Sequence, residues 1–475
     1  MKLAITFALN TIFNFAISLL VAKFLGPAEY GRFALASAVA IFINTALFDW
    51  IRLAATRFYS EKARRERPEI RATLDATFAA LTFALGAAAL SVIFSGLEFQ
   101  LSGMLIALAA ATAVANGLFD YHTALVRGRF LDRVYGRMIL VKNVLALTCT
   151  AGGAWWFGSA KMALIGICLS VAGSLMSARI AMADDAGTAA KPARDLALEQ
   201  MRYGLPIVAA GLIYQSIPLL NRSLVTGRFG FAETGQFSLA YDVGIRFVAA
   251  IASTLDVLLF QIAVAADEAH GRARARSQVA QNIGLVFAVV LPACVGLWLV
   301  LPSLEALIVP QAYRGAFGRY LTLLLPGLFC FALTTYAVNP IFQIEKRTLP
   351  LIAAALAGAL VNGALVILQP GGADASIYAV AQALALAAGF CVLSIAAFRD
   401  RAAQPDLRSL GVATLGSLTM CGALLPLRAM EPGLLTLLLQ GVAGGCIYGV
   451  FVFAFDLAGL RRRLLAMRGG IAAPT

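Results

Sequence analysis

The stretch FLGPAEYGRFALA, residues 24–36, decides how this chain folds, because a version of it returns as RFGFAETGQFSLA, residues 228–240. The two copies share the pattern G-x-A-E-x-G-x-F-x-L-A, and Gly26 and Gly230 lie 204 positions apart. Self-similarity at a fixed distance is the sequence signature of an internal structural repeat. Each copy lies between two long apolar runs, so each is predicted to form a turn between two helices.

The composition around these turns is that of a membrane protein. Of 475 residues, 60% are hydrophobic and 13% are charged, whereas soluble domains average roughly 45–50% apolar and about 25% charged. Spanning helices need about 20 mostly apolar residues, and fourteen such runs follow one another along the chain. This pattern predicts an all-α polytopic membrane protein of about 14 transmembrane helices and excludes a secreted, cytosolic or disulfide-scaffold protein.

Basic residues orient the predicted helices. Most of the 38 Lys and Arg residues lie in alternate loops, in clusters at residues 62–67, 127–137, 272–276 and 461–463. Cytoplasmic loops are enriched in Lys and Arg, so both termini are predicted to be cytoplasmic. The net charge of +13 is then explained by these loops and by anionic lipid beside them, and nucleic acid is not expected as a partner. Every predicted outer loop is short, which leaves no room for an external catalytic domain.

The two turns occupy the same position in two successive sets of six helices, with the same in-out sense. This arrangement predicts a parallel repeat, an architecture of alternating-access transporters. The predicted divisions are an N-lobe of six helices, a cytoplasmic linker, a C-lobe of six helices, and two C-terminal helices with a basic tail, at residues 1–182, 183–203, 204–398 and 399–475.

The 6+6+2 plan and the turn from Phe24 to Gly31 resemble the polysaccharide transporter branch of the multidrug/oligosaccharidyl-lipid/polysaccharide superfamily, the Wzx-type flippases. The resemblance implies a bacterial inner-membrane protein that moves an undecaprenyl-diphosphate-linked oligosaccharide to the outer leaflet for surface polysaccharide synthesis. It also implies polysaccharide assembly proteins as partners, and a monomer is expected. Relatives include lipid II flippases and drug or cation antiporters.

Arg246 and Asp242 are the sharpest site candidates. Arg246 lies about eleven residues into the eighth predicted helix, and ionisable groups at such depth are costly unless they are paired or face water. Asp242 precedes it by four residues on the same face, so an intrahelical ion pair is the structural alternative. We expect the pair to line a central cavity.

Polar residues on two other helices are further cavity candidates. Thr6, Asn10, Asn14 and Ser18 are spaced by four and form a polar stripe on the first helix; interhelical hydrogen bonding and cavity lining both explain it. On the seventh helix, Gln215 and Arg222 share a face, with Pro218 between them. The proline is predicted to kink this helix.

Charged residues at the inner helix ends are candidates for substrate binding and for ion coupling. Arg52 and Arg57 begin a basic loop; they either anchor the helix end or engage the substrate diphosphate, which guanidinium groups bind in a bidentate manner. Asp49, Asp120 and Asp256 are candidates for proton or cation coupling, with solvation of helix ends as the alternative.

Catalytic and cofactor signatures are not found in the sequence. The two histidines, His122 and His270, form no metal cluster or catalytic triad, and no Walker lysine loop occurs. The protein is therefore predicted to be no enzyme and to use no metal or other cofactor, with energy supplied by an ion gradient, the membrane potential or the substrate gradient. A cation-coupled multidrug exporter of the same superfamily is the alternative function, although the first helix lacks the carboxylate expected of it. A membrane polysaccharide polymerase or ligase is a further alternative, disfavoured by the short outer loops.

Overall fold

The computed structural model of this protein describes residues 2–95, 100–183, 190–345, 347–399 and 403–457. Residues 184–189 of the predicted linker and the predicted basic tail from residue 458 onward lie outside these ranges. Within them, the regular structure consists entirely of helices, as the sequence predicted. The prediction of an all-α polytopic protein is therefore confirmed.

The helices of the first half are α1 to α9: Lys2–Leu47, Asp49–Phe58, Glu61–Glu66, Glu69–Ser95, Gly103–Gly128, Asp132–Leu145, Gly152–Phe157, Ala160–Met182 and Arg194–His270. Those of the second half are α10 to α16: Arg272–Ile308, Ala316–Leu333, Asn339–Ile344, Leu349–Ile367, Ser376–Ala397, Leu407–Arg428 and Leu434–Ala454. Single π-helical turns, Ala146–Ala151 and Thr334–Val338, join α6 to α7 and α11 to α12.

Twelve helical segments of the described chain are long and apolar enough to cross a membrane. Two of them are too long for one crossing: Asn10–Leu47 has 38 residues and Arg194–Ala252 has 59. At 1.5 Å per residue even the shorter would be about 57 Å long, against about 30 Å of hydrocarbon. Each contains one break in its helical backbone, so each provides two crossings, and the twelve segments provide the fourteen that the sequence predicts.

The breaks fall at the repeated glycines. Gly26 has φ 69° and ψ 172°, and Gly230 has φ 84° and ψ 176°, so the two copies of the turn share one backbone conformation. This region of φ/ψ space is open essentially only to glycine. Pro27 starts the next helical segment in the first copy, where its fixed φ and missing N–H are tolerated. At Pro218 α9 keeps helical backbone angles, and the kink predicted there stays a prediction.

Contacts between residues divide the chain into two compact units, Met1–Leu239 and Ala240–Thr475. The long helix α9 passes from the first unit into the second. The four-part division at residues 182, 203 and 398 and the cytoplasmic location of both termini stay predictions.

Large apolar side chains face outward on the membrane-crossing helices. Phe83 and Phe94 on α4, for example, are 79% and 84% exposed. Contiguous apolar surface of this kind would be a liability in water, and in a bilayer it faces lipid tails. The core of the first unit includes a cluster around Phe48, Trp50 and Tyr121, which are sequence neighbours of Asp49 and Asp120 in the charged cluster described next.

Candidate functional site

The repeated turns contact each other in the first unit. A Cβ on Gly31 would overlap the carbonyl oxygen of Phe231 and lie 3.0 Å from the nitrogen of Gly235. In the reciprocal sense, a Cβ on Gly235 would overlap the carbonyl oxygen of Pro27 and lie 3.1 Å from the nitrogen of Gly31. Because these residues are repeat equivalents, the contact has local two-fold pseudosymmetry.

Other residues of the first turn hold neighbouring segments. A carboxylate oxygen of Glu29 accepts a hydrogen bond of 3.0 Å from the backbone N–H of Ala160, at the start of α8. Glu29 also pairs with Arg32, whose guanidinium carbon lies 4.9 Å from the ring centroid of Phe231. The motif residues thus have a structural role, and the charged cluster is formed by other residues.

A charged cluster forms in the first unit where α2, α5 and α6 meet the end of α1. The Arg52 Nε donates a 3.0 Å hydrogen bond to Asp49 Oδ1. Asp120 accepts a hydrogen bond from the Asn44 side chain and interacts electrostatically with Lys142, Arg52 and Asp49. Three sequence candidates, Asp49, Arg52 and Asp120, are thereby brought together.

Lys142 was not among the sequence candidates, and it completes this cluster. Its Nζ lies 4.0 Å from the ring centroid of Phe119 on α5, in a cation–π contact. The available signal was a single lysine inside an apolar run, beside Asn143, since an intramembrane cation is a functional candidate by default. The cluster therefore contains two carboxylates and two cations, and its formal charge sums to zero.

A glycine allows α1 to approach α5 at this cluster. A Cβ on Gly117 would lie 2.8 Å from the Phe48 Cβ and 2.9 Å from the Asn44 Oδ1, distances that real Cβ atoms do not adopt. Gly117 lies three residues before Asp120, on the same face of the helix. The small residue is thus what brings the Asn44 amide within reach of the Asp120 carboxylate.

A second polar group lies nearby and ties α4 to its neighbours. The Tyr121 hydroxyl donates a 2.6 Å hydrogen bond to Asp75 Oδ1, and Arg71 Nε lies 3.4 Å from Asp75 Oδ2. Arg71 also donates to the carbonyl of Met182 at the end of α8. The sequence pattern did not indicate these residues, which join three helices by polar contacts.

The polar stripe of the first helix makes an interhelical hydrogen bond. Asn143 Nδ2 on α6 donates to Asn10 Oδ1 over 2.9 Å, and Asn14 Nδ2 donates to the Asn10 carbonyl over 2.8 Å. Ser18 is buried. Interhelical bonding was one of the two explanations for the stripe, and it is what the structure places at Asn10. The side chain of Thr6 lies outside the described part.

The candidates of the seventh helix differ in environment. Arg222 is 3% exposed, and its Nη1 donates a 3.1 Å hydrogen bond to the carbonyl of Ala34. Gln215 is half-buried. Arg57, at the end of α2, is exposed and is not part of the buried core. Arg222 therefore ties α9 to the second half of α1.

Asp242 and Arg246 lie in the second unit, one helical turn apart on α9. Both side chains are half-buried, and both take part in polar or electrostatic contacts. The backbone of Asp256 is helical, and its side chain lies outside the described residues. Among the described residues, no group of three His, Cys, Asp or Glu side chains is placed to hold a metal ion.

Solved structures with this fold are membrane transporters. The lipid II flippase MurJ in an inward closed conformation is 15% identical, with 95% of this chain and 98% of that chain covered and a TM-score of 0.73. An inward-facing multidrug resistance transporter of the MATE family is 13% identical, with 89% and 99% covered and a TM-score of 0.64. No curated protein matches the sequence. The likeness shows that this chain has the fold of these multi-pass membrane proteins.

The family assignment comes from the sequence itself. Residues 20–314 match the family described as "Polysaccharide biosynthesis protein", a segment that covers more than half of the chain and contains both copies of the turn. The chain belongs to this family of polysaccharide biosynthesis proteins.

Proposed function

We propose that this protein is a flippase that moves an undecaprenyl-diphosphate-linked oligosaccharide from the inner to the outer leaflet of the bacterial cytoplasmic membrane by alternating access. The family match over residues 20–314 carries the proposal. Polysaccharide repeat units are assembled on a lipid carrier and must cross the bilayer, and a member of such a family with a transporter fold suits this step. Polysaccharide assembly proteins would then be its partners.

The charged cluster favours the flippase over a cation-coupled exporter. A hard metal cation is held by carboxylate and carbonyl oxygens, and neighbouring positive charges oppose its binding. Here the charges of Lys142 and Arg52 already act on Asp120. The first helix carries Asn10 and Asn14 in place of a carboxylate. Proton coupling through Asp120 or Asp49 is compatible with this arrangement.

Arg246 and Asp242 are proposed to contact the substrate, together with Arg52 and Arg57 at the predicted cytoplasmic end. A diphosphate needs cationic groups, and a guanidinium binds phosphate oxygens with a planar fork.

The proposal is tested in proteoliposomes that contain the purified full-length chain and a fluorescent undecaprenyl-diphosphate disaccharide. Movement between leaflets is measured by quenching of the label with a membrane-impermeant reductant. Labelled phosphatidylcholine serves as a control for unspecific lipid scrambling. We expect the saccharide lipid to move and the control lipid to stay. Gradient-driven uptake of ethidium, without movement of the saccharide lipid, would establish the exporter instead.

A further inference from the structure

A cavity of about 510 Å³ lies in the second unit, and its lining includes none of the residues of the proposed transport site. It is formed where the start of α10, the end of α12, the start of α13 and the end of α14 meet. Its charged lining residues are Arg276, Glu345, Arg347 and Arg399. The rest of the lining is apolar, contributed mainly by Phe342, Leu349, Pro350, Val392 and Ile395.

Glu345 organises the cationic side of this cavity. Its carboxylate is 7% exposed and lies between two arginines. Arg276 reaches Glu345 Oε1 from α10, with Nη2 at 2.5 Å and Nε at 2.7 Å, and Arg347 Nη1 lies 3.3 Å from Oε2. A buried carboxylate with two guanidinium partners fixes their positions, so their remaining N–H groups are pre-oriented donors.

The cavity carries a positive surplus because Arg399 adds a third guanidinium to one carboxylate. Arg347 is 61% exposed, and Arg399 is exposed as well, so both are accessible to a ligand. The formal charges of the residues that line the cavity sum to +2. An anion of about that charge is the complementary ligand.

The apolar side of the cavity is continuous with the lipid-facing surface. Leu349, at the start of α13, is 75% exposed, and Ile395, near the end of α14, is 65% exposed. Both helices are among the membrane-crossing segments. A ligand in this cavity therefore meets guanidinium groups at one end and hydrocarbon at the other, which is the chemistry of a lipid with an anionic headgroup.

We propose that this cavity binds the phosphate headgroup of an anionic phospholipid of the membrane, with the acyl chains lying along Leu349 and Ile395. Basic pockets at the ends of membrane helices bind anionic headgroups in this way. A soluble phosphate would bind the arginines and leave the apolar lining exposed to water. A lipid contacts both the arginines and the apolar lining and is therefore the better fit. The proposal is independent of the flippase function, since it concerns a bound lipid that is not transported.

The test measures lipid binding to the purified full-length chain by native mass spectrometry, with phosphatidylglycerol and phosphatidylcholine as probes. Each basic residue near an anionic headgroup contributes about 1 kcal/mol, and a factor of ten is about 1.4 kcal/mol. The double variant Arg347→Gln with Arg399→Gln is therefore expected to bind phosphatidylglycerol about thirtyfold more weakly. Arg133→Gln with Arg408→Gln removes the same charge from exposed positions outside the cavity and is expected to bind as the native chain does.

Three results would overturn the proposal. The first is equal weakening by the two double variants, because net charge alone would then explain binding. The second is binding of phosphatidylcholine as tight as that of phosphatidylglycerol. The third is full competition by glycerol phosphate at the concentration of the lipid, which would show that the cavity recognises a free phosphate.

Discussion

Gly31 and Gly235 contact each other backbone to backbone, and each occupies the position in its turn at which a side chain would overlap the other copy. The residues that a new methyl group would strike, Phe231 and Pro27, are themselves repeat equivalents. Because each glycine contacts the equivalent part of the other copy, the two copies of the repeat share a contact surface as well as a turn. The two glycines explain why the shared pattern retains a second glycine five residues after the one at the break.

Alanine at either glycine is expected to destabilise the protein. A methyl group at position 31 or 235 strikes backbone atoms, which cannot move aside as a flexible side chain can, and overpacking costs about 1–3 kcal/mol. Thermal unfolding of Gly31→Ala and Gly235→Ala in detergent measures this cost. Gly86→Ala on α4 is the control, because nothing lies within 4 Å of the added Cβ and alanine favours the helix. Equal stability of all three variants would show that the backbones are not in contact.

The interaction of Asp120 with Lys142 is expected to appear as coupling in a double-mutant cycle. Removal of one partner unbalances the charge of the cluster and is expected to destabilise the protein, whereas removal of both keeps the cluster neutral and costs much less. Asp120→Asn and Lys142→Met should each lower the unfolding temperature, and the double variant should regain most of the loss. Lys23→Met, at an exposed position, is the matched control. Additive losses would mean that the two charges do not interact.

The hydrogen bond between Asn143 and Asn10 is expected to contribute modestly to stability. Interhelical polar contacts in membrane proteins contribute about 0.6 kcal/mol on average and up to about 1.7 kcal/mol. Asn10→Ala and Asn143→Ala should therefore be slightly destabilised, with a double variant no worse than either one. Transport separates the two explanations of the stripe: if Asn10 only joins helices, both variants keep their activity. Loss of transport in Asn10→Ala alone would assign it to the substrate path.

Arg246→Ala is expected to abolish transport and leave the protein inserted, because α9 keeps its apolar faces and loses one charge. Arg246→Lys should restore part of the activity at best, since an ammonium lacks the planar fork of the guanidinium. Complementation of surface polysaccharide, with membrane levels measured in parallel, provides the assay. Full activity of the double variant Arg246→Ala with Asp242→Asn would contradict a role in substrate binding. Arg246 would then serve only to neutralise the Asp242 carboxylate.

Asp406 caps the start of α15 and is expected to make its stability depend on acid. Its carboxylate accepts hydrogen bonds from the Ser409 hydroxyl at 2.7 Å and from the backbone N–H groups of Arg408 and Ser409 at 3.1 and 3.2 Å. The Ser409 hydrogen bond, followed by these backbone bonds, lowers the pKa of Asp406. A lowered pKa stabilises the folded state above the ordinary value of about 3.9, and this contribution is lost as the pH falls through the lowered value.

The cap is tested by Asp406→Ala, which should cost about 1 kcal/mol at neutral pH. The difference from the native chain should shrink as the pH falls below about 3.9 and through the lowered pKa, because the native carboxyl then becomes protonated. Asp406→Asn, which preserves cap hydrogen bonding without the charge, should recover most of the stability. A difference that stays constant down to pH 2 would show that the charge contributes nothing.

The sequence predicted the helical class, the fourteen crossings and the position of both glycine breaks. It also placed Asp49 and Arg52 near a helix end and assigned Asn10 to a polar stripe, but Asp120, expected at a helix end, lies eight residues before the end of α5. It did not single out Lys142, because the groups that interact with this lysine lie on other helices. Residue spacing within one helix does not reveal them. The kink at Pro218 stays a prediction, since the backbone angles of α9 remain helical there and its break at Gly230 is the predicted turn.

What the sequence by itself determined depends on local properties. Hydropathy decides that a segment crosses the membrane, a glycine permits the positive φ at the break, and the spacing of the motif identifies the repeat. The tertiary structure alone decided which residues interact across helices: Asp120 electrostatically with Lys142, Gly31 with Gly235, and Arg276 with Glu345 across 69 residues. The physical reason is that contacts across helices depend on how packed helices are rotated and how far apart they lie. Small residues such as Gly117 set this separation at particular contacts. Neither the rotation nor the separation is a property of a single helix, so the sequence of one helix does not reveal them.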